Sequence, residues 1–273
     1  MTSPFVDHAW LQEHRDDVVL ADVRFYLDGR SGREAHEAGH LPGAVFVDLH
    51  AVLAGPASDA GGRHPLPAPD AFAAGLAAVG IGDADVVIAY DDAGGVMAAR
   101  LVWMLRATGH DAALLDGGIG AWDGPLETGP ESAAPAVFTA RPWPEDLLAD
   151  VDDATDRANV VIDARPGDRY AGAADQLDPR AGHIPGARSV PARGNLGPDG
   201  RLLPVDALRE RFAAAGVTAD APLVSSCGSG VTACHNLLAI EHAGLGRGRL
   251  YPGSWSAYSR DATRPVATGS EPG

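Results

Sequence analysis

The residue best placed for chemistry is Cys227, which lies in the segment SSCGSGVTA at positions 225–233. The apolar residues 221–224 before it predict a buried strand, and residues 231–243 after it predict a helix. A cysteine on a tight Gly/Ser loop between a strand and a helix faces backbone N–H groups that the helix leaves unpaired and that stabilise an anion. Because the thiolate is the nucleophilic form of cysteine, this loop predicts a reactive Cys227. The alternative is a small buried side chain in a turn.

Composition excludes several other classes of protein. The 273 residues carry a formal charge of −16, which argues against nucleic acid or an anionic membrane as the main partner. The sequence contains no lysine, so Schiff-base chemistry is excluded. Neither a signal peptide nor a membrane span is indicated, and two cysteines without disulfide spacing fit a cytoplasmic location. The histidines and cysteines have no zinc-binding spacing, so no metal is expected.

The elements that must position Cys227 occur twice along the chain. The triplet Asp22–Arg24 recurs at 163–165, and GHLPGA at 39–44 recurs as GHIPGA at 182–187. Such a repeat predicts two similar α/β domains, each with a mostly parallel sheet flanked by helices. We expect a supporting domain at 1–128, a linker at 129–144 and a catalytic domain at 145–273. Asp91 and Asp92 stand where the second copy has Cys227, so only that copy is predicted to be catalytic.

Taken together, the paired Asp-x-Arg triplets, the paired Gly-His-(Leu/Ile)-Pro-Gly-Ala turns and the Cys227 loop resemble those of tandem-domain rhodanese-type sulfurtransferases. The resemblance covers nearly the whole chain and implies two rhodanese-like domains. It also implies that Cys227 takes sulfur from a small donor, holds it as a persulfide and passes it to a thiol, cyanide or a thioredoxin-like or other protein acceptor. No cofactor is implied.

The loop resembles that of family members that use 3-mercaptopyruvate, which carry Cys-Gly-Ser-Gly-Val-(Thr/Ser), whereas thiosulfate enzymes typically carry Cys-Arg-Lys-Gly-Val-Thr. A neutral loop suits a dianion less well, and the Ser229 hydroxyl can protonate the departing enolate. We therefore predict 3-mercaptopyruvate as donor, with thiosulfate as the alternative. The predicted donor-binding residues in the loop are Gly228, Gly230, Val231 and Thr232.

Two arginines are candidates for binding the donor carboxylate. Arg169 matches the family's substrate arginine in its Arg-(Phe/Tyr)-x-Gly setting. Arg180 is a second candidate, although it lies three residues before His183 and the corresponding family arginine lies seven before. An ion pair without catalytic function is the alternative for Arg169.

The resemblance also implies a Ser-His-Asp relay, in which His64 from the first domain would face Ser229. The family aspartate should lie two residues after Asp48, where this chain has His50. The relay is therefore either incomplete or rebuilt with Asp48 or Asp59. The alternative for His64 is a histidine at the interface without a chemical role.

Two other classes of function compete with the sulfurtransferase. A cysteine phosphatase needs an arginine six residues after its nucleophile, and here that residue is Ala233. A rhodanese-like module that only binds other proteins fits the first domain, but not a chain that retains Cys227 and its glycines. His40 and His183 occur in both copies, which predicts that they fasten the turns.

Overall fold

The computed structural model describes residues 1–131, 133–173 and 177–273, which form two compact units. The first unit comprises Met1–Gly55, Pro67–Trp143 and Leu196–Leu202. The second comprises Pro56–Leu66, Pro144–Asn195 and Leu203–Gly273. Each unit contains one parallel sheet with helices, so the predicted α/β class is confirmed.

The first unit is built on a five-stranded parallel sheet in the order β1-β5-β4-β2-β3. Its strands are β1 (Phe5–Val6), β2 (Val18–Asp22), β3 (Val45–Phe46), β4 (Val86–Tyr90) and β5 (Ala112–Leu115). Its helices are α1 (His8–Glu13), α2 (Gly32–Ala38), α3 (Leu49–Val52), α4 (Pro69–Ala78) and α5 (Ala99–Ala107). The central strands β2 and β4 are paired over five residues. Their Val, Ile and Ala side chains are typical of parallel strands that are covered on both faces of the sheet.

The second unit repeats this plan with a four-stranded parallel sheet in the order β7-β6-β8-β9. Its strands are β6 (Val160–Asp163), β7 (Arg188–Ser189), β8 (Leu223–Ser226) and β9 (Arg249–Leu250). Its helices are α6 (Gly167–Ala171), α7 (Val205–Ala214), α8 (Ala233–His242) and α9 (Ser254–Tyr258). Residues Ala233 to Ile240 of α8 are all buried, so the helix that follows the Cys227 loop is held on every side.

The two repeated motifs make the same contacts in both units. Asp22 and Asp163 each bind the arginine two residues later, at 2.6 and 2.7 Å. Nδ1 of His40 lies 2.8 Å from the carbonyl of His36, and Nδ1 of His183 lies 2.9 Å from the carbonyl of Tyr170. The prediction that these histidines fasten the turns is thus confirmed.

The segment expected to be a linker packs along the first unit. Of residues 129–144, Ser132 lies outside the described residues. Thr139 donates its N–H and hydroxyl to Asp83, and the indole N–H of Trp143 donates to the carbonyl of Pro67. The Phe72 ring lies 5.3 Å from Trp143. The aromatic side chains of this Pro-rich stretch therefore find apolar partners that its composition did not indicate.

Candidate active site

Cys227 lies in the turn after β8, at the carboxyl end of a parallel sheet, where α/β proteins place their sites. Its side chain is 2% exposed. The Gly230 N–H donates to Sγ of Cys227 at 3.1 Å, so one amide of the loop already faces the sulfur. The other predicted loop residues, Val231 and Thr232, directly precede α8, and their carbonyls accept the N–H groups of Cys234 and His235.

The start of α9 holds the cysteine loop in place. The Cys227 N–H donates to Ser254 Oγ at 3.1 Å, and the Trp255 N–H donates to the Cys227 carbonyl at 3.0 Å. Ser254 has φ +50°, a left-handed conformation that a non-glycine residue adopts only at a cost. Its counterpart in the first unit is Gly118, with φ +54°. The strained residue Ser254 is therefore also the one whose hydroxyl binds the Cys227 loop.

Gly228 and Gly230 leave room that a side chain would fill. Gly230 has φ +74°, and a Cβ there would lie 2.6 Å from the Pro252 carbonyl oxygen. A Cβ on Gly228 would lie 3.0 Å from Nη2 of Arg63. The loop can therefore curl around the sulfur only with glycine at position 230, and position 228 is closely covered by a cation.

His64 and Ser229 are brought together as the sequence predicted. Nδ1 of His64 lies 2.8 Å from Ser229 Oγ, and both side chains are buried. His64 belongs to the stretch Pro56–Leu66 of the second unit, so the pair forms inside that unit. The Arg63 N–H donates to Ser256 Oγ at 3.0 Å, which fixes this stretch on α9.

The residues considered as third members of the relay have other partners. Asp48 caps α3 by accepting the Ala51 N–H at 2.8 Å. Asp59 is 88% exposed and pairs with Arg260 at 3.1 Å. The His50 ring stands edge-on to Phe25, with centroids 5.0 Å apart. These contacts provide no support for a relay rebuilt with Asp48 or Asp59.

Arg169 lies beside the loop, together with an arginine that the sequence analysis missed. A Cβ placed on Gly228 would lie 3.9 Å from Nη1 of Arg169 and 3.0 Å from Nη2 of Arg63. Both guanidinium groups bind Asp178, which is 3% exposed. Arg63 directly precedes His64 in the sequence, which is a signal that could have found it. Asp178 had no such signal, because its contacts arise only on folding.

Arg180, the second candidate for binding the donor carboxylate, is directed at the main chain. Its guanidinium donates to four main-chain carbonyls between residues 258 and 264, at distances from 2.6 to 3.2 Å. A group that already satisfies four carbonyls secures the chain after α9. The displaced position of Arg180 in the sequence is consistent with this structural use.

A buried ion pair lies beside the Cys227 loop, since Cδ of Arg165 would be 3.9 Å from a Cβ on Gly228. Arg165 pairs with Asp163 and also donates to the Gly182 carbonyl. Burial alone would lower the pKa of Arg165, but the charges of Asp163, Cys227 and Asp178 raise it above its ordinary value. The Arg165 guanidinium therefore stays charged close to the Cys227 loop.

The first unit shows what the same loop does without a cysteine. Asp91 is fully buried, and its carboxylate accepts the N–H groups of Ala93, Gly95, Met97 and Ala98 at 2.7 to 2.9 Å. Burial raises the pKa of Asp91, and these four amides act in the opposite direction. The amides therefore form an anion-binding cradle, and the carboxylate of the chain itself fills it.

Within residues 1–131, 133–173 and 177–273, no group of three His, Cys, Asp or Glu side chains is arranged to hold a metal ion. No helix in the same ranges is both long enough and apolar enough to cross a membrane.

Comparison with known proteins gives concordant matches. The 42% identical relative from Pseudomonas aeruginosa, a probable 3-mercaptopyruvate sulfurtransferase, aligns over 93% of each chain. The 3-mercaptopyruvate sulfurtransferase of Escherichia coli K12 is 36% identical over 97% of this chain and 98% of its own. A putative thiosulfate sulfurtransferase of Mycobacterium tuberculosis is 37% identical over 93% of this chain and 92% of its own.

Solved structures agree with these relatives. The 3-mercaptopyruvate sulfurtransferase of Leishmania major superposes with a TM-score of 0.84 at 32% identity, over 97% of this chain and 76% of that one. The E. coli structure gives 0.81 at 35% identity, over 93% of this chain and all of that one. The model of the rhodanese-like domain matches residues 7–124 and 144–261. The chain therefore belongs to the rhodanese family and contains two rhodanese-like domains in tandem.

Proposed function

We propose that this protein is a sulfurtransferase that takes a sulfur atom from 3-mercaptopyruvate and holds it as a persulfide on Cys227. The persulfide then passes its outer sulfur to an acceptor: a thiol, cyanide or a thioredoxin-like or other protein. The observation that carries the proposal is the grouping of Cys227, with an amide on its sulfur, beside the Ser229–His64 pair. A cytoplasmic location suits a nucleophilic thiol, which needs a reducing compartment.

The first half-reaction forms the persulfide. The Cys227 thiolate attacks the thiol sulfur of the donor, an S–S bond forms, and the C–S bond of the donor breaks. The electron pair of that bond goes to the departing carbon as the enolate of pyruvate, which then takes a proton. The Gly230 N–H, 3.1 Å from Sγ of Cys227, stabilises the negative sulfur before attack.

The Ser229–His64 pair supplies the proton that the enolate needs. The Ser229 hydroxyl donates to the enolate, and His64, 2.8 Å away, returns a proton to Ser229. Arg169 and Arg63 lie beside Gly228 and would orient the donor carboxylate. We propose Arg63 for this second position because the guanidinium of Arg180 is already occupied by main-chain carbonyls.

In the second half-reaction the acceptor thiolate attacks the outer persulfide sulfur. A new S–S bond forms on the acceptor, the bond within the persulfide breaks, and Cys227 leaves as the thiolate it was at the start. The free enzyme is therefore regenerated without a cofactor.

Thiosulfate is the second candidate donor, because the relative from M. tuberculosis carries that name and the arginines beside Gly228 can bind any small anion. A side-by-side measurement of kcat/KM for the two donors tests the choice, and a larger value for 3-mercaptopyruvate is expected. A larger value for thiosulfate would refute the donor assignment.

The persulfide is tested by intact-protein mass spectrometry after addition of donor without acceptor. The wild-type protein should gain the mass of one sulfur atom, and Cys227→Ser should gain none. Cys234→Ser is the matched control, since Cys234 is buried in α8 and its thiol donates to the Gly230 carbonyl. It should still gain the sulfur. Sulfur uptake by Cys227→Ser would refute the assigned nucleophile.

The proton supply is tested by comparing donors in Ser229→Ala and His64→Ala. Removal of general acid catalysis should lower kcat for 3-mercaptopyruvate by about 10²- to 10⁴-fold. Turnover of thiosulfate should fall much less, because sulfite leaves without protonation of a carbon. Equal losses with both donors would show that the pair only supports the loop.

A further inference from the structure

Asp178 is the one buried carboxylate that contacts both arginines proposed to bind the donor, among the residues that the structure describes. One carboxylate oxygen pairs with Arg63, and the other lies 3.3 Å from Nη2 of Arg169. Asp178 is 3% exposed, whereas the two arginines are 20% and 19% exposed. The arginines can therefore reach a ligand from solvent while Asp178 stays behind them.

The charges of this group sum to a small positive value. Arg63 and Arg169 contribute two positive charges and Asp178 one negative charge. The neighbouring Arg165 and Asp163 form their own pair with no net charge. Asp168 accepts the Arg169 N–H but is exposed, so solvent screens its charge. Among the described residues, Arg63, Arg169 and Asp178 together carry about one positive charge, to which a Cys227 thiolate would add a negative one.

We infer that Asp178 is a specificity-determining residue, which sets the charge of the donor site so that it favours a monoanion over a dianion. This inference rests on the proposed function, in which Arg63 and Arg169 receive the donor. 3-Mercaptopyruvate with its neutral thiol carries one negative charge, and thiosulfate carries two. The negative charge of Asp178, held in a partly buried site, repels a dianion more strongly than a monoanion.

Removing the charge of Asp178 should change the binding free energy of a ligand in proportion to the ligand's charge, because the Coulomb energy is proportional to the product of the two charges. The logarithm of the affinity should therefore change about twice as much for a dianion as for a monoanion. We expect Asp178→Asn to tighten the binding of pyruvate about tenfold and that of thiosulfate about a hundredfold at low salt.

The test uses the full chain with Cys227→Ser, which binds donors without reacting. Calorimetric Kd values for pyruvate and for thiosulfate are compared with and without Asp178→Asn. Asp178→Glu keeps the charge and should keep the ratio of the two Kd values. Asp153→Asn is the matched control, because Asp153 pairs with Arg249 elsewhere in the same unit. It removes the same charge and should also keep the ratio.

Equal changes for pyruvate and thiosulfate in Asp178→Asn would refute the inference, as would a ratio altered equally by Asp178→Glu. Either result would mean that Asp178 only braces the two arginines. The test does not depend on turnover, so it is separate from the test of activity. A shifted ratio in a protein that transfers no sulfur would refute the proposed function alone, and unchanged ratios in an active enzyme would refute this inference alone.

Discussion

Replacing Asp91 by alanine removes the carboxylate that accepts four N–H groups in the first unit, two in buried and two in part-buried hydrogen bonds. A buried N–H left without a partner costs about 1–3 kcal/mol, so the two buried groups alone could cost about 2–6 kcal/mol if nothing moved, and the two part-buried groups add to this. Two effects reduce this cost. The loop can relax, and burial raises the pKa of Asp91, which means that the buried negative charge itself destabilises the folded state. We expect a net loss of about 3–5 kcal/mol in the free energy of unfolding.

The assay is urea unfolding followed by tryptophan fluorescence, since Trp10, Trp103 and Trp122 all lie in the first unit. Asp92→Ala is the matched control. Asp92 is exposed and accepts the Tyr26 hydroxyl at 2.6 Å, so its loss should cost less than about 1 kcal/mol.

Formate offers a second measurement, because it can occupy the space that the missing carboxylate leaves. At equal ionic strength, formate should stabilise Asp91→Ala more than chloride does, and it should leave the wild-type protein unchanged. The view that the carboxylate of the chain fills the anion cradle would be refuted if Asp91→Ala were no less stable than Asp92→Ala.

Three further outcomes are expected. Gly230→Ala should lower kcat/KM at least tenfold, because a Cβ would meet the Pro252 carbonyl at 2.6 Å and displace the N–H that binds Cys227; unchanged kinetics would contradict this. Ser254→Ala should be less stable than Ser254→Gly in thermal unfolding. Both variants lose the hydrogen bond to Cys227, but only alanine keeps the strain of φ +50°, which costs about 1 kcal/mol. A Ser254→Gly variant that is the less stable of the two would contradict this prediction. The pKa of Asp22 is lowered: burial opposes this, but hydrogen bonds from His36 and Arg24 outweigh it. The charged Asp22 side chain therefore stabilises the folded protein above pH 3.8, and this contribution is lost as the pH falls through the lower pKa that Asp22 has in the folded state. The stability of Asp22→Asn should thus fall less steeply with acid than that of the wild type. Parallel curves of stability against pH would contradict this expectation.

Much of the fold followed from local sequence patterns. The strand predicted over residues 221–224 is observed at Leu223–Ser226, and the helix predicted over 231–243 is observed at Ala233–His242. The helix predicted to begin at residue 231 begins at Ala233, because the loop takes two more residues to turn around the sulfur. Such elements depend on hydrophobic periodicity and on glycine and proline, which act over a few neighbouring residues.

For the candidate site, too, the sequence predicted what is local and missed what is distant. The sequence by itself determined the Cys227 loop and its glycines, the presence of Asp91 in place of a cysteine in the other copy, and the candidate pair of Ser229 and His64. Only the tertiary structure decided which distant groups surround that loop. Ser254 binds the N–H of Cys227 from 27 positions away, Asp178 joins two arginines that lie far apart in sequence, and Arg180 is turned to the main chain. Local patterns report how a segment folds, but the partners of a charged side chain depend on which segments the packed core brings together.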